Sequence, residues 1–241
     1  MSSLAPENTL AAFRLCADHG VRWFEFDCDV LADGTVVVIH DATLDRTTDH
    51  KGEVHALTLA DLDDVDAGSW FDPRFAGEPV PTLRQVVDLM NEAGLDANLE
   101  LKHTRGVPGG PLLAGVAREL ERLHPDRQLL VSSFDPLLLA GFRRLAPHWP
   151  LACLYEHHRF TGIWRSVASL LGAVAIHPGD LGLEAGHVRQ FTDAGLAVNV
   201  WTVNSVDRAA ELFGWGVGAV FTDVAQDFPP EWREARQLPL P

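Results

Sequence analysis

Short runs of β-branched and aromatic residues alternate along the chain with stretches whose apolar residues recur every three or four positions. The runs predict strands at Trp23–Val30, Asp96–His103, Gln128–Phe134, Leu151–Glu156, Ala173–Pro178, Leu196–Asn204 and Val217–Asp223. The periodic stretches predict helices at Glu7–His19, Thr82–Ala93, Pro111–Leu123, Pro136–Leu145, Ile163–Leu171, Leu183–Ala194 and Ser205–Trp215. Glycine or proline closes most of them, as at Gly94, Pro147, Gly172 and Gly195. A further strand, Thr35–His40, is expected to fold back on Trp23–Val30 through the turn Asp33-Gly34. The proline- and acid-rich stretch Asp61–Pro81 reads as an excursion within one βα loop, its aspartates forming a solvated face.

Repeated βα units without a shift in composition, an internal repeat or a linker imply one parallel-sheet domain over residues 1–241. A chain of 241 residues is about the right length for a (β/α)₈ barrel. A closed barrel of that kind needs roughly eight strands in βα units. The count here is one short: a helix precedes the first strand, and Met1–Pro6 is too short to supply another. The expectation is therefore an α/β fold that either is not a barrel or starts one strand late.

Charge narrows the partners. Lys plus Arg number 19 against 34 Asp plus Glu, a net charge of −15. That balance argues against nucleic acid as a partner and against stable association with anionic membranes. It also requires a metal ion or locally placed cations wherever an anionic substrate binds. Cys16, Cys28 and Cys153 are widely spaced and lack the rhythm of a zinc site, which fits reduced thiols in a cytoplasm. No apolar run reaches the length of a membrane span, and the N-terminus lacks the basic-then-apolar pattern of an export signal.

Candidate chemistry concentrates on two strands. In Trp23-Phe24-Glu25-Phe26-Asp27-Cys28-Asp29 the alternation sends Glu25, Asp27 and Asp29 to one face and Phe24, Phe26 and Cys28 to the other. An aromatic outer face would pack on helices and turn the carboxylates inward, where like charges are costly unless a cation sits between them. A hard divalent ion with oxygen ligands meets that need. An edge strand with an acidic solvent face would show the same alternation. In Asn98-Leu99-Glu100-Leu101-Lys102 the polar residues again share a face, so Glu100 is placed to complete a three-carboxylate site and Lys102 to face a bound anion. An internal Glu100–Lys102 structural pair is the other reading. His40-Asp41 closes a strand at the end where barrel sites gather, and a histidine there can transfer protons near neutral pH. Trp201 ends the penultimate strand and could serve as an apolar wall or as a large core residue.

These residues occur in order within longer motifs. The segments Pro6-Glu7-Asn8-Thr9-Leu10-Ala11-Ala12-Phe13, Glu25-Phe26-Asp27, Asp33-Gly34 followed by Val38-Ile39-His40-Asp41, and Arg46-Thr47-Thr48 resemble the glycerophosphodiester phosphodiesterase family. So do Pro81-Thr82-Leu83, Glu100-Leu101-Lys102, Ser132-Ser133-Phe134-Asp135, Trp201-Thr202-Val203-Asn204 and Thr222-Asp223, so the resemblance covers nearly the whole chain.

The resemblance implies a TIM-type (β/α)₈ barrel of the PLC-like phosphodiesterase kind, and hydrolysis of glycerophosphodiesters to sn-glycerol 3-phosphate and an alcohol. It implies one Ca²⁺ or Mg²⁺ ion held by Glu25, Asp27 and Glu100, with His40 as one of two catalytic histidines. Lys102 is expected near the phosphate and Trp201 in the substrate pocket. Glu7 and Asn8 are placed at the rim, although Asn8 would equally serve as an N-cap of the first helix. Family members carry a strand ending in His-Arg-Gly a few residues before the Pro-Glu-Asn-Thr motif. This sequence begins at Met1-Ser2-Ser3-Leu4-Ala5, so the second histidine and its arginine are not in it. A catalytically impaired or non-catalytic barrel that still binds phosphodiesters is the alternative. A phospholipase D-like barrel acting on sphingomyelin or lysolipids is disfavoured by Glu100 in the Glu-x-Lys position.

Overall fold

The computed structural model describes residues 1–156, 160 and 162–233. The chain forms two compact units, Met1–Leu129 and a second beginning at Leu130.

The first unit contains α1 (Leu10–Asp18), β1 (Trp23–Val30), β2 (Val36–Val38), α2 (Leu83–Ala93), β3 (Asp96–Leu101) and α3 (Gly109–Leu120). β1 is its central strand. On one side β2 runs antiparallel to it, with Cys28 opposite Val38; on the other β3 runs parallel, with Asp27 opposite Glu100. The expected hairpin through Asp33-Gly34 is present. Gly34 takes the left-handed backbone (φ 83°) that the turn needs, and Asp33 Oδ1 accepts the Thr35 N–H at 2.9 Å.

The face of β1 predicted to be apolar carries an aromatic seam. The ring of Phe13, on α1, lies 4.5 Å from Phe24 and 6.0 Å from Phe26 between centroids, and Phe24 stacks on Phe26 at 5.4 Å. All three are buried, so α1 covers this face and the acidic residues take the other. The N-cap of α1 is Thr9, whose hydroxyl accepts the Ala12 N–H; Asn8 is free for another task. Helix α2 starts in a capping box between Thr82 and Gln85 and stops at Gly94 in the left-handed conformation.

The excursion after β2 folds into short 3₁₀ turns at Leu59–Leu62 and Pro73–Phe75. Its buried residues Leu62, Val65, Ala67 and Val80 pack with Val37 and Ile39. One of its aspartates departs from the solvated face expected of them. Asp66 accepts backbone N–H groups from Gly77, Ser69 and Gly68, which hold its carboxyl down at about 2. Asp66 therefore organises the loop, and the aspartate character of the stretch is partly structural.

The second unit alternates strand and helix: β4 (Leu129–Ser133), α4 (Pro136–Leu145), β5 (Leu151–Tyr155), α5 (Trp164–Leu171), β6 (Ala175–Pro178), α6 (Ala185–Thr192), β7 (Ala197–Val200), α7 (Val206–Gly214), β8 (Ala219–Val220) and the short α8 (Pro230–Arg233). Each strand from β4 to β8 pairs in parallel with the next. Trp164, Val188, Phe191 and Leu212 from the helices pack against Ile176, Val198 and Val200 from the strands. Asp135 caps α4 and Ser205 caps α7, each from the loop at the C-terminal end of the preceding strand.

Strands β7 and β8 end earlier than the apolar runs suggest. Past Val200 and Val220 two backbone bonds remain, from the Phe221 N–H to the Val200 carbonyl at 2.9 Å and from the Val203 N–H to the Phe221 carbonyl at 2.8 Å, and beyond them a side chain ties the two segments. Asn204 donates through Nδ2 to Asp223 Oδ2 at 2.8 Å, and its Oδ1 accepts from Thr222 Oγ1 at 3.0 Å and from the Asp223 N–H at 2.9 Å. Among the described residues, no helix is long and apolar enough to cross a membrane.

Candidate active site

Register carries the acidic residues of the first unit together. Asp27 and Glu100 are direct partners across the β1–β3 ladder, and Glu25 lies two residues back on the same face of β1. One ligand oxygen from each of Glu25, Asp27 and Glu100 lies within 4.8 Å of the others. Asp27 is 4% exposed and Glu100 8%, which rules out a solvent-facing edge as the reason for the alternation.

Lys102 closes the group. Its Nζ is 3.0 Å from Glu100 Oε1 and 3.3 Å from Asp27 Oδ1. The Glu100–Lys102 pair considered from sequence is thus formed, and it is a wall of the carboxylate cluster. Burial, then the charges of Asp27 and Glu100, push the Glu25 carboxyl well above the usual range. Burial and Asp27 likewise raise Glu100 to about 7, against the pull of Lys102. Burial works to discharge Lys102, but Asp27 and Glu100 outweigh it and hold the ammonium charged, its pKa raised. A cluster of three carboxylates in which Glu25 and Glu100 resist ionisation until positive charge arrives suits a hard divalent cation with oxygen donors, so the residues present fit such an ion.

Asp27 is oriented by a residue from before α1. Asn8 Nδ2 donates to Asp27 Oδ2 at 2.8 Å, and Asn8 Oδ1 accepts the Asp27 backbone N–H at 3.2 Å. Asp29, next along the same face, is buried and raised in pKa chiefly by burial; it accepts from Thr104 Oγ1 at 2.9 Å. That contact fixes the loop leaving β3 just past Lys102.

His40 follows β2 and is half exposed. Its Nδ1 meets Asp41 Oδ1 at 2.7 Å. Arg46 donates to Asp41 through Nε at 2.7 Å and to Glu7 through Nη1 and Nη2 at 2.8 and 2.7 Å. Those bonds from Arg46, assisted by His40, hold the Asp41 carboxyl at about 2. Glu7, Asn8, His40 and Thr47 line one small cleft.

In the second unit Trp201 stands just past β7, half-buried. Its indole Nε1 donates to the His177 carbonyl at 3.0 Å, and the ring of Phe134, just past β4, meets it in a T-shaped contact at 5.6 Å. Both aromatics therefore sit beyond the C-terminal ends of parallel strands, where side chains of such folds face ligands.

A family model described as the Glycerophosphoryl diester phosphodiesterase family matches residues 1–226. The chain belongs to that family. It is 31% identical over 229 residues to a glycerophosphodiester phosphodiesterase of Caldanaerobacter subterraneus subsp. tengcongensis, covering 92% of this chain and 90% of the relative. It is 30% identical over 238 residues to a glycerophosphodiester phosphodiesterase of Bacillus subtilis, covering 92% and 80%. Among solved structures, a phosphodiesterase of Oleispira antarctica in complex with the product sn-glycerol-3-phosphate superposes with a TM-score of 0.89 at 31% identity, over 97% of this chain and 92% of that one. The chain is accordingly a phosphoric diester hydrolase, and its fold class is the α/β TIM-barrel class of its relatives.

Three contacts in this phosphodiesterase escape sequence reasoning. The Asn8–Asp27 pair joins residues 19 apart and the Glu7–Arg46 pair residues 39 apart. All four lie in the motifs quoted above, but no spacing rule links them. The contact of Phe134 with Trp201 is likewise a product of strand order, and only the placement of both residues at strand ends hinted at it.

Proposed function

We propose that this enzyme hydrolyses glycerophosphodiesters to sn-glycerol 3-phosphate and an alcohol, with one divalent cation, Ca²⁺ or Mg²⁺, in the lipid and glycerol metabolism of a cytoplasm. The observation that supports this most is the trio Glu25, Asp27 and Glu100, whose oxygens lie within 4.8 Å of one another beside the ammonium of Lys102. The glycerol phosphate bound to the Oleispira antarctica relative supports the substrate class. The cysteines, free and buried at positions 16, 28 and 153, suit a reducing compartment.

In this reading the trio holds the cation. When bound, a divalent cation offsets phosphoryl charge and makes a nearby water or hydroxyl more acidic. Lys102 sets a fixed positive charge where charge builds on the phosphoryl oxygens during displacement. His40, engaged through Nδ1 by Asp41, keeps Nε2 for proton transfer between the nucleophile or leaving alcohol and solvent. Trp201, with Phe134 against its ring, offers the apolar wall for the carbon skeleton of the substrate. A protein of net charge −15 can bind an anion in this way because the charge at the site, and not the total, sets the local potential.

The test is release of glycerol 3-phosphate from glycerophosphocholine, before and after chelation and with Ca²⁺ or Mg²⁺ restored. Activity that chelation abolishes and one of these ions restores is expected. Activity that survives chelation unchanged, or that persists in Glu100→Gln, overturns the reading.

A further inference from the structure

We infer that Glu7, Arg46 and Asp41 form a positioning relay that fixes the tautomer and direction of the His40 ring and ties that ring to Asp27. The inference rests on the proposed role of His40 in proton transfer.

One guanidinium serves two carboxylates at once. Arg46 donates from Nε to Asp41 Oδ2 at 2.7 Å and from Nη2 to Asp41 Oδ1 at 3.0 Å. On its other edge Nη1 and Nη2 donate to Glu7 Oε2 and Oε1 at 2.8 and 2.7 Å. Two forked pairs on adjacent edges fix the plane of the guanidinium, which a lysine ammonium in its place cannot do. Asp41 then has a set orientation, and its Oδ1 faces His40 Nδ1 at 2.7 Å. An ionised carboxylate only accepts, so Nδ1 must carry the hydrogen, and the neutral ring keeps its lone pair on Nε2.

The far end of the relay reaches the carboxylate trio. Glu7 is followed in the chain by Asn8, whose amide bonds both the side chain and the backbone N–H of Asp27. Two consecutive residues thus anchor the proton-transfer group through one side chain and a cation ligand through the next. The charged groups around His40 are Asp41, Arg46 and Glu7 within the relay, and Glu100 of the trio.

Stability alone is a poor account of these bonds. The side chains of Glu7, Asp41, Arg46 and His40 are 28, 27, 46 and 52% exposed, and ion pairs so open to solvent contribute little to folding. A relay predicts instead that breaking them leaves the melting temperature nearly in place and changes the chemistry of one ring.

The experiment compares Asp41→Asn, Arg46→Lys and Glu7→Gln with the parent enzyme and with His40→Gln, all as the chain of residues 1–241. The readouts are kcat and KM separately for glycerophosphocholine, the pH profile of kcat/KM, and the ¹⁵N shifts of the His40 ring, assigned by their loss in His40→Gln. In Asp41→Asn the amide group opposes the Arg46 donors. The expected results there are loss of the Nδ1–H tautomer, a fall in kcat on the order of 10² with KM nearly unchanged, and a displaced pH profile. Arg46→Lys and Glu7→Gln should shift the same ring signals, with a smaller fall in kcat. If Asp41→Asn does not fold, those two variants decide the matter. The relay is overturned if His40→Gln is inactive but the relay variants keep the parent tautomer and kcat, or change KM alone. Full activity in His40→Gln overturns the reading of His40 itself.

Discussion

Asn8 holds Asp27 at two points, the carboxylate through Nδ2 at 2.8 Å and the backbone N–H through Oδ1 at 3.2 Å. It does so from a left-handed backbone at φ 55°, the only non-glycine residue with positive φ among those described. Asparagine tolerates that region, whereas alanine there costs about 1–2 kcal/mol. The two contributions can be separated. Asn8→Gly should keep the backbone and nearly the parent melting temperature, yet weaken divalent-cation binding by about 10–100-fold, since Asp27 loses the partner that aims it. Asn8→Ala should show the same loss and a lower melting temperature as well. Isothermal titration with Ca²⁺ and Mg²⁺, alongside thermal melts, measures both, and parent-like affinity in Asn8→Gly would contradict the ligand role of Asp27.

Glu25 stands against two neighbouring carboxylates, and burial plus their charges already raise its pKa well above the ordinary range. Neutralising it removes repulsion and one cation ligand together. Glu25→Gln should therefore be at least as stable as the parent enzyme when both are metal-free. With free cation at a hundred times its dissociation constant, the parent should gain roughly 2.7 kcal/mol and the variant almost nothing. Melting curves with chelator and with added cation check this. An equal gain in both proteins would remove Glu25 from the ligand set.

The trio was legible in the sequence because strand alternation is a local rule: Phe24 and Phe26 declare one face of β1, and Glu25 and Asp27 must take the other. The same rule on β3 supplied Glu100 and Lys102. The hairpin was legible because Asp33-Gly34 is turn chemistry that works over a few residues. The relay was not, because Glu7 and Arg46 meet only when the segment before α1 and the loop after β2 come together. The ends of β7 and β8 were misplaced for a related reason. Their apolar runs continue, but beyond the backbone bond from Val203 to Phe221 the side chains of Asn204, Thr222 and Asp223 make the contacts in place of a ladder. Asp66 shows the converse: composition marked it as solvated, and three backbone N–H groups from its own loop make it a structural residue.

Trp201 combines a polar anchor with an apolar contact, and the two predict different losses. Its Nε1 hydrogen bond to the His177 carbonyl should contribute about 1 kcal/mol of stability, which Trp201→Phe removes while keeping an aromatic face. If that face lines the substrate pocket, Trp201→Phe should keep most of kcat/KM, and Trp201→Ala should lose on the order of tenfold through KM. Phe134→Ala, which removes the T-shaped partner at 5.6 Å, should raise KM several-fold, in line with about 1 kcal/mol for such a pair. Steady-state kinetics on glycerophosphocholine measure these changes. Unchanged KM in both alanine variants would assign the pair to structure alone.

His177 lies fully buried on β6, with Nε2 3.0 Å from Asn199 Nδ2 and its ring 5.0 Å from that of Phe221. Its Nδ1 is buried without a hydrogen-bond partner among the described residues, and burial pushes the imidazole down from 6.5 to about 3. Because the folded-state value is the lower one, the unfolded chain takes up the proton first as the pH falls. Above about pH 6.5 the residue is neutral in both states and stability does not depend on it. Between about 6.5 and about 3 the folded state should lose stability, with a total of roughly a few kcal/mol, and below about 3 the loss should level off. Carboxylates titrate in part of the same window, so the comparison is with His177→Gln, which keeps an amide beside Asn199 and cannot ionise. Urea unfolding from pH 7.5 to 4 should show the parent falling more steeply than the variant, beginning near pH 6.5. Parallel curves would mean that the buried imidazole accepts its proton inside the fold.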